Sequence, residues 1–335
     1  MSQPQRITVF APATVANVAS GFDVLGFALE TPGDAVTLSR TAGAKVAVVS
    51  IEGDGGKLSK DAAKNTAAVA VHGFLAKIGF PFGVEIGLKK MMPLSSGLGS
   101  SAASAVAAVH GANILAGSPF SRRQLLPFTM AAEKVACGTA HADNVAPSLL
   151  GGFVLVRSYD PLDVVQLPVP PGLSCAVAHP HTEVRTEDAR AILKKEIRLA
   201  DAVRQWGNLA ALVAALYNGD LQLLGRSLQD VVAEPARSLL IPGFAAVKKA
   251  ALSAGALGCS ISGSGPSVFA LCASAQSAKK AAHGMAEAFQ NAGLGSDLYI
   301  SAVNTQGPRI INDPVVNGAA ADGIDAKRAG SERAP

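Results

Sequence analysis

The chain has 335 residues, 49% of them hydrophobic and 16% charged, with a formal net charge of +4. That is ample apolar material for a buried core, and a chain of this length is expected to divide into two domains. The basic excess is small and dispersed, with no Lys/Arg run interleaved with aromatics, which argues against a nucleic-acid footprint.

Residues 6–10 and 45–51 are rich in β-branched side chains and read as strands, and Gly-Asp-Gly-Gly at 53–56 ends the second. A helix is predicted from Asn65 to about Lys77, a half-buried strand over 83–90, and a Gly/Ser loop from Pro93 to Ser101. An Ala/Val helix follows over 102–115, another over 123–136, then a strand over 151–157. Pro-Val-Pro-Pro-Gly at 168–172 cannot sit inside a helix or central strand and marks a linker between a domain of residues 1–168 and one of 169–312. The second half reads as strand 174–178, helices 186–204, 207–217, 220–231 and 243–254, strands 257–262 and 267–272, helix 275–292 and strand 297–303. Both halves therefore read as α+β. The polar, Ala/Gly-rich stretch 313–335 reads as disordered.

No apolar run reaches the roughly 18 residues of a membrane span. The opening MSQPQRITVF lacks the charged and apolar regions of a secretory signal. Cys137, Cys175, Cys259 and Cys272 stand far apart without CxxC spacing, so neither a zinc site nor a disulfide framework is expected. A reduced, cytoplasmic protein is the consequent expectation.

The segment Pro93-Leu94-Ser95-Ser96-Gly97-Leu98-Gly99-Ser100-Ser101-Ala102-Ala103 carries the most chemistry. Its glycines permit close backbone approach, and its serines precede a helix whose unpaired N–H groups and partial positive charge suit an anion. The first turn has no acid of its own, so a phosphate would fit. Ser100 and Ser101 also read as plain N-caps of an Ala-rich core helix. No Gly-Lys-Ser/Thr occurs, so this is not a Walker A loop. Gly97-x-Gly99-x-x-Ala102 matches a relaxed dinucleotide fingerprint, but Pro93 separates it from the strand and Arg-Arg stands where the acid belongs.

Four more polar clusters and one turn stand out. Asn17 and Asp23 flank Gly21 and read equally as turn formers. Glu133 and the run His141-Ala142-Asp143-Asn144 offer hard oxygen ligands to Mg²⁺, although Glu133 beside Lys134 also reads as a solvated helix face. Thr186 reads as an N-cap ahead of Glu187, Asp188 and Arg190. Glu234-Pro-Ala-Arg237 follows a helix end, and Gly263-Ser-Gly-Pro266 reads as a tight hairpin between two strands.

Taken in order, Asn17/Gly21/Phe22/Asp23, the Pro93–Ala103 loop and Ser262-Gly-Ser-Gly-Pro266 resemble the motifs of the GHMP small-molecule kinases over about Thr8 to Val303. His141-Ala142-Asp143-Asn144-Val-Ala-Pro147, Thr186 with Arg190, and Glu234-Pro-Ala-Arg237 resemble the branch that phosphorylates homoserine. Ala142 stands where many members have Pro, and Arg185 where several have Ser.

The resemblance implies an α+β fold of two domains. The N-terminal one would contain a left-handed crossover, the C-terminal one would be ferredoxin-like, and the active site would lie between them. It implies that Pro93 to Ala103 wrap the ATP phosphates, that Ser101 and Glu133 hold Mg²⁺ and that Asn65 lies by the nucleoside. Asp23 and Asp143 would take the substrate ammonium and Arg190 and Arg237 its carboxylate, with His141 and Gly263 in the same pocket. Asn144, with Asn17 and Thr186, would lie by the hydroxyl.

A zwitterionic amino acid needs carboxylates at one end and guanidinium forks at the other, which agrees with that assignment. Asn144 stands where several members carry an aspartate base, so catalysis would rest on Ser101, Glu133 and Asn144 through in-line positioning and charge neutralisation. The expected product is O-phospho-homoserine, on the route to threonine, made by a cytoplasmic homodimer. The competing readings are a GHMP kinase for a sugar or mevalonate-like substrate and a non-catalytic nucleotide-binding regulator. A sugar has no use for two carboxylates and two guanidiniums together.

Overall fold

The computed structural model describes residues 4–138 and 141–311. The expected tail over 313–335 lies outside them. The first sheet is built from β1 (Arg6–Ala16), β2 (Leu25–Thr41), β3 (Val46–Glu52), β4 (Gly83–Lys89), β5 (Phe153–Tyr159) and β6 (Leu162–Leu167). The second holds β7 (Ser174–Pro180), β8 (Gly258–Ile261), β9 (Val268–Cys272) and β10 (Ser296–Ala302). A two-residue strand, β11 (Arg309–Ile310), returns to pair with β1 at the edge of the first sheet.

The first sheet runs β11-β1-β2-β4-β3, with β5 and β6 branching from β2. Its pairs are antiparallel except β3 with β4, whose parallel alignment requires a crossover through α1 (Thr66–Lys77). Asn65 starts that helix by accepting from Ala67 N at 3.2 Å and Ala68 N at 3.4 Å. The next helix, α2 (Ser100–Leu115), packs against β1, β2, α1 and α3 (Arg122–Cys137), so nearly all of its surface is buried. Its small Ala side chains let the backbone of a central helix approach the sheet closely.

The second sheet runs β10-β7-β9-β8, all antiparallel. Counted within the domain this is the strand order 4-1-3-2 of a ferredoxin-like sheet. α9 (Phe244–Ser253) and α10 (Ala275–Asn291) contribute Phe244, Val247, Met285 and Phe289 to its core. The sheets are tied where Ser301 Oγ on β10 accepts from Glu30 N at 2.8 Å and Thr31 N at 3.1 Å on β2. Among the described residues no helix is long and apolar enough to cross a membrane.

The predicted elements are largely present, with four departures. The 17-residue β2 was not expected, because Thr31-Pro-Gly-Asp34 carries turn signals inside it. The expected helix over 186–204 is interrupted. α5 (Thr186–Ala191) ends before the charged run 194–196, and α6 (Leu199–Asn218) starts afresh beside the Arg198–Asp201 ion pair and absorbs the helix expected over 207–217. α7 (Leu221–Ser227) stops short of 231, because Asp230 accepts from the backbone of Val232, Ala233 and Glu234. Those bonds launch α8 (Glu234–Arg237), a helical turn just beyond the helix end that had been expected. α4 (Val145–Leu150) and β6 carried no recognised signal.

Candidate active site

A cleft of about 590 Å³ is lined by loops from both sheets. Its floor is the Gly/Ser loop. α2 begins at Gly99, which takes a left-handed φ of 67° and supplies no side-chain cap. The N-cap role expected of Ser100 and Ser101 is therefore not theirs. A Cβ on Gly99 would meet Thr14 Oγ1 and the Asn144 amide, and one on Gly97, also left-handed at φ 78°, would meet the Ser262 and Gly265 carbonyls. Close approach, and not flexibility, makes glycine necessary at both.

Three successive carbonyls of this loop are occupied by protein donors. Ser267 N reaches Ser96 O at 3.2 Å, Ser262 Oγ reaches Gly97 O at 2.7 Å and Thr14 N reaches Leu98 O at 3.0 Å. The segment joining β8 to β9, expected as a tight hairpin at Gly263–Pro266, thus clamps the loop. The unpaired N–H groups of the first turn of α2 open beside the cleft, with no acidic residue there to occupy them.

Behind the loop lies an ion pair that no motif announced. Lys90 Nζ bonds Asp34, Ser100 O at 2.9 Å and Ser104 Oγ at 2.7 Å, while Asp34 also accepts from Ser100 Oγ at 2.9 Å and Met91 N at 2.8 Å. Both charged side chains are buried. Every donor of the ammonium is thereby satisfied, which is the condition for tolerating such a pair away from water. It anchors the first turn of α2.

Not every residue of Pro93–Ala103 faces the cleft. Leu94, Ser95, Ser96, Gly97, Gly99, Ser100 and Ser101 line it. Leu98, Ala102 and Ala103 point into the core, fully buried, and Pro93 lines a neighbouring depression. Asn65 reaches the cleft, but its side chain caps α1 and its Nδ2 donates to Ser59 O at 3.0 Å, so both polar ends serve the fold.

Glu133 on α3 is buried beside the loop, which rules out a solvated helix face. Burial pushes its carboxyl from 4.5 up to about 7, against the opposing pull of the Ser101 hydroxyl and the Lys90 ammonium. The paired Ser101 hydroxyl and Glu133 carboxylate are hard oxygen donors, and a buried carboxylate that resists ionisation is a group a cation would relieve. The residues present fit a divalent metal.

The remaining predicted polar residues converge on the other wall. Asn17, Val18 and Ala19 all have positive φ, at 70°, 43° and 58°. For a β-branched Val this is strained backbone of the kind stored at functional sites. The turn is held by Asn17, whose Nδ2 donates to Gly263 O at 2.9 Å and whose Oδ1 accepts from Asp23 N at 3.0 Å. Arg190 grips Asp23 through a two-pronged fork, Nη1 to Oδ2 and Nη2 to Oδ1, each at 3.0 Å. The sequence reading had put these two at opposite ends of a ligand; here they hold each other.

Arg237 is 3% exposed and donates to Ala189 O at 3.0 Å and Gly263 O at 2.8 Å. It lies over the Phe22 ring at 5.1 Å, with Arg190 at 5.8 Å. Thr186 is the first helical residue of α5 and not its cap, and its hydroxyl faces Ser264 Oγ at 3.4 Å.

Asp143 is buried, and burial with the nearby Asp23 and Glu133 charges raises its carboxyl from 3.8 to about 7. Burial likewise lowers the His141 imidazole. Neither His141 ring nitrogen has a hydrogen-bond partner among the described residues. Tyr159 on β5, another residue the sequence did not single out, joins the two acidic segments. Its hydroxyl donates to Asp23 O at 2.7 Å and accepts from Ala142 N at 3.2 Å.

Residues 65–152 match the GHMP kinases N terminal domain and residues 212–291 the GHMP kinases C terminal. The chain is 54% identical over 318 residues to a homoserine kinase of Chloroherpeton thalassium, covering 92% of this chain and all of that one. The crystal structure of homoserine kinase from Cytophaga hutchinsonii superposes with a TM-score of 0.91 at 58% identity, covering 93% of this chain and 99% of that one. The L. major mevalonate kinase in complex with R-mevalonate reaches 0.68 at 16% identity, covering 90% and 99%, a likeness of fold alone.

Proposed function

The chain belongs to the GHMP kinases and, within them, to the homoserine kinases, and from that premise we propose how its residues divide the transfer of the ATP γ-phosphoryl group to L-homoserine. The observation that carries the reading is one cleft in which Asp23 and Asp143 lie with Arg190 and Arg237 beside a helix N-terminus that has no acid in its first turn. Homoserine offers an ammonium, a carboxylate and a hydroxyl to match.

The loop 94–101 and the start of α2 receive the phosphates, where N–H groups and the helix dipole favour negative charge. Ser101 and Glu133 are the residues that would hold Mg²⁺, which when bound neutralises charge on the transferring phosphoryl group. Asp143 and Asp23 receive the ammonium, and Arg190 and Arg237 the carboxylate. Homoserine then replaces the Asp23–Arg190 fork with two pairs of its own, so the charges are prepared before it arrives. Binding one end by carboxylates and the other by guanidiniums fixes the chain between them and sets the hydroxyl beside Asn144, where its oxygen attacks the γ-phosphorus as ADP leaves. Cations facing the Glu133 and Asp143 carboxyls would favour the ionised forms that burial disfavours.

The same reading carries a homodimer acting in the cytoplasm. An exposed apolar stripe on α6, with Leu199 at 72%, Val203 at 55% and Trp206 at 60%, offers surface for a second copy, and sedimentation equilibrium tests it. An ATP-consumption assay tests the activity. Homoserine is expected to be phosphorylated far better than homoserine lactone, 1,4-butanediol, mevalonate or a hexose, because each of these lacks a group the charge clamps need. Comparable kcat/KM on any of them would defeat the reading.

A further inference from the structure

Asn144 has two faces that differ in chemistry, and the structure commits one of them. Its Oδ1 accepts a hydrogen bond from Thr14 Oγ1 at 2.7 Å. Thr14 is fully buried on β1, in the strand that also bonds the phosphate loop through Thr14 N to Leu98 O at 3.0 Å. The Nδ2 of Asn144 has no partner among the described residues, is not among their buried unsatisfied atoms, and belongs to a side chain that lines the cleft. A Cβ at Gly99 would strike both Thr14 Oγ1 and Asn144 Oδ1, so the glycine that starts α2 is also what leaves room for this bond.

We propose that Thr14 is a positioning residue for phosphoryl transfer: by donating to Oδ1 it locks the Asn144 carboxamide with its NH₂ toward the cleft, making Asn144 a hydrogen-bond donor to the attacking hydroxyl. This rests on the homoserine reading above.

An amide has nearly isosteric ends, and nothing but its partners decides which end faces where. A hydroxyl can donate to Oδ1, which spends the acceptor on the fold and leaves two donors for the substrate. A donor to the homoserine oxygen orients one lone pair toward Asn144 and turns another to the γ-phosphorus. The new O–P bond forms as the bond from the γ-phosphorus to the bridging oxygen of ADP breaks. The hydroxyl proton passes to an oxygen of the transferred phosphoryl group, so Asn144 takes no proton. The loose character of such transition states makes this late proton movement sufficient.

The test is steady-state kinetics of Thr14→Val and Thr14→Ser alongside wild type and Asn144→Ala. Valine keeps the β-branched shape of a buried strand residue and removes only the hydroxyl; serine keeps the hydroxyl. Thr14→Val is expected to lower kcat about tenfold to thirtyfold, the loss of one oriented hydrogen bond. The KM values for ATP and homoserine should stay within about threefold, and Thr14→Ser should restore most of kcat. Adding Thr14→Val to Asn144→Ala should cost little more than Asn144→Ala alone, since both remove the same donor.

A merely structural Thr14 gives full additivity, equal impairment in Thr14→Ser, or loss confined to thermal stability, and each of these overturns the proposal. If Thr14→Val does not fold, Thr14→Ala in the same cycle decides it by the same criterion. Failure of the underlying reading is separate: wild type would then not consume ATP with homoserine.

Discussion

Glu133→Gln is expected to separate activity from stability in opposite directions. The wild-type carboxyl lies at about 7 in the folded protein, against 4.5 ordinarily, because burial disfavours its charge. Below pH 4.5 it is protonated whether the chain is folded or not, and nothing is lost. As pH rises from 4.5 through 7 the unfolded chain ionises first, so folded stability declines, and above 7 the full loss is present. A displacement of this size corresponds to about 3 kcal/mol.

Glutamine has no such loss. In urea unfolding of the ligand-free protein, Glu133→Gln should match wild type near pH 4.5 and exceed it by up to about 3 kcal/mol at pH 8. Asp143 adds to the contrast, since the Glu133 charge is one cause of its own raised value and the substitution removes that cause. In the kinase assay the same variant should lose about a hundredfold or more in kcat, as expected when a ligand of the charge-neutralising metal is removed. A variant no more stable than wild type at pH 8 would refute the burial argument, and one with near wild-type turnover would remove Glu133 from the site.

Arg237→Leu should raise the homoserine KM by the equivalent of roughly 1.5–3 kcal/mol while the ATP KM changes little; the reverse pattern would put this arginine in the nucleotide site. Lys90→Met should destabilise the fold by about 3–5 kcal/mol by stranding the buried Asp34 charge. Urea unfolding should find much of that recovered in Lys90→Met/Asp34→Asn, and equal losses in the single and double variants would contradict the pairing. Tyr159→Phe removes the hydroxyl that joins the Asp23 and Ala142 segments. It should raise the homoserine KM several-fold with ATP KM unchanged, and an unaltered homoserine KM would count against a role for that bridge.

The polar residues that line the cleft were legible through the resemblance of their motifs. Asn17, Asp23, Glu133, His141, Asp143, Asn144, Thr186, Arg190, Arg237 and Gly263 all line one cleft, although several of them also read, residue by residue, as ordinary turn, cap or helix-face positions. Within the Gly/Ser loop the order of residues announced an anion site, but not which of them face it. Ala102 and Ala103 belong to the core because a helix that starts under a sheet must bury one side, and Leu98 is buried in the loop just ahead of it.

The sequence by itself determined most of the periodic elements, the helix start behind the Gly/Ser loop, and the presence of both acids and arginines in its motifs, because these depend on local spacing and residue type. Tertiary structure alone decided the rest. Lys90 meets Asp34 across 56 positions and Thr14 meets Asn144 across 130. It also matched Asp23 to Arg190 and raised the Glu133 and Asp143 carboxyls by burial. Contact, desolvation and the choice of hydrogen-bond partner arise only when distant segments come together, so no window along the chain contains them.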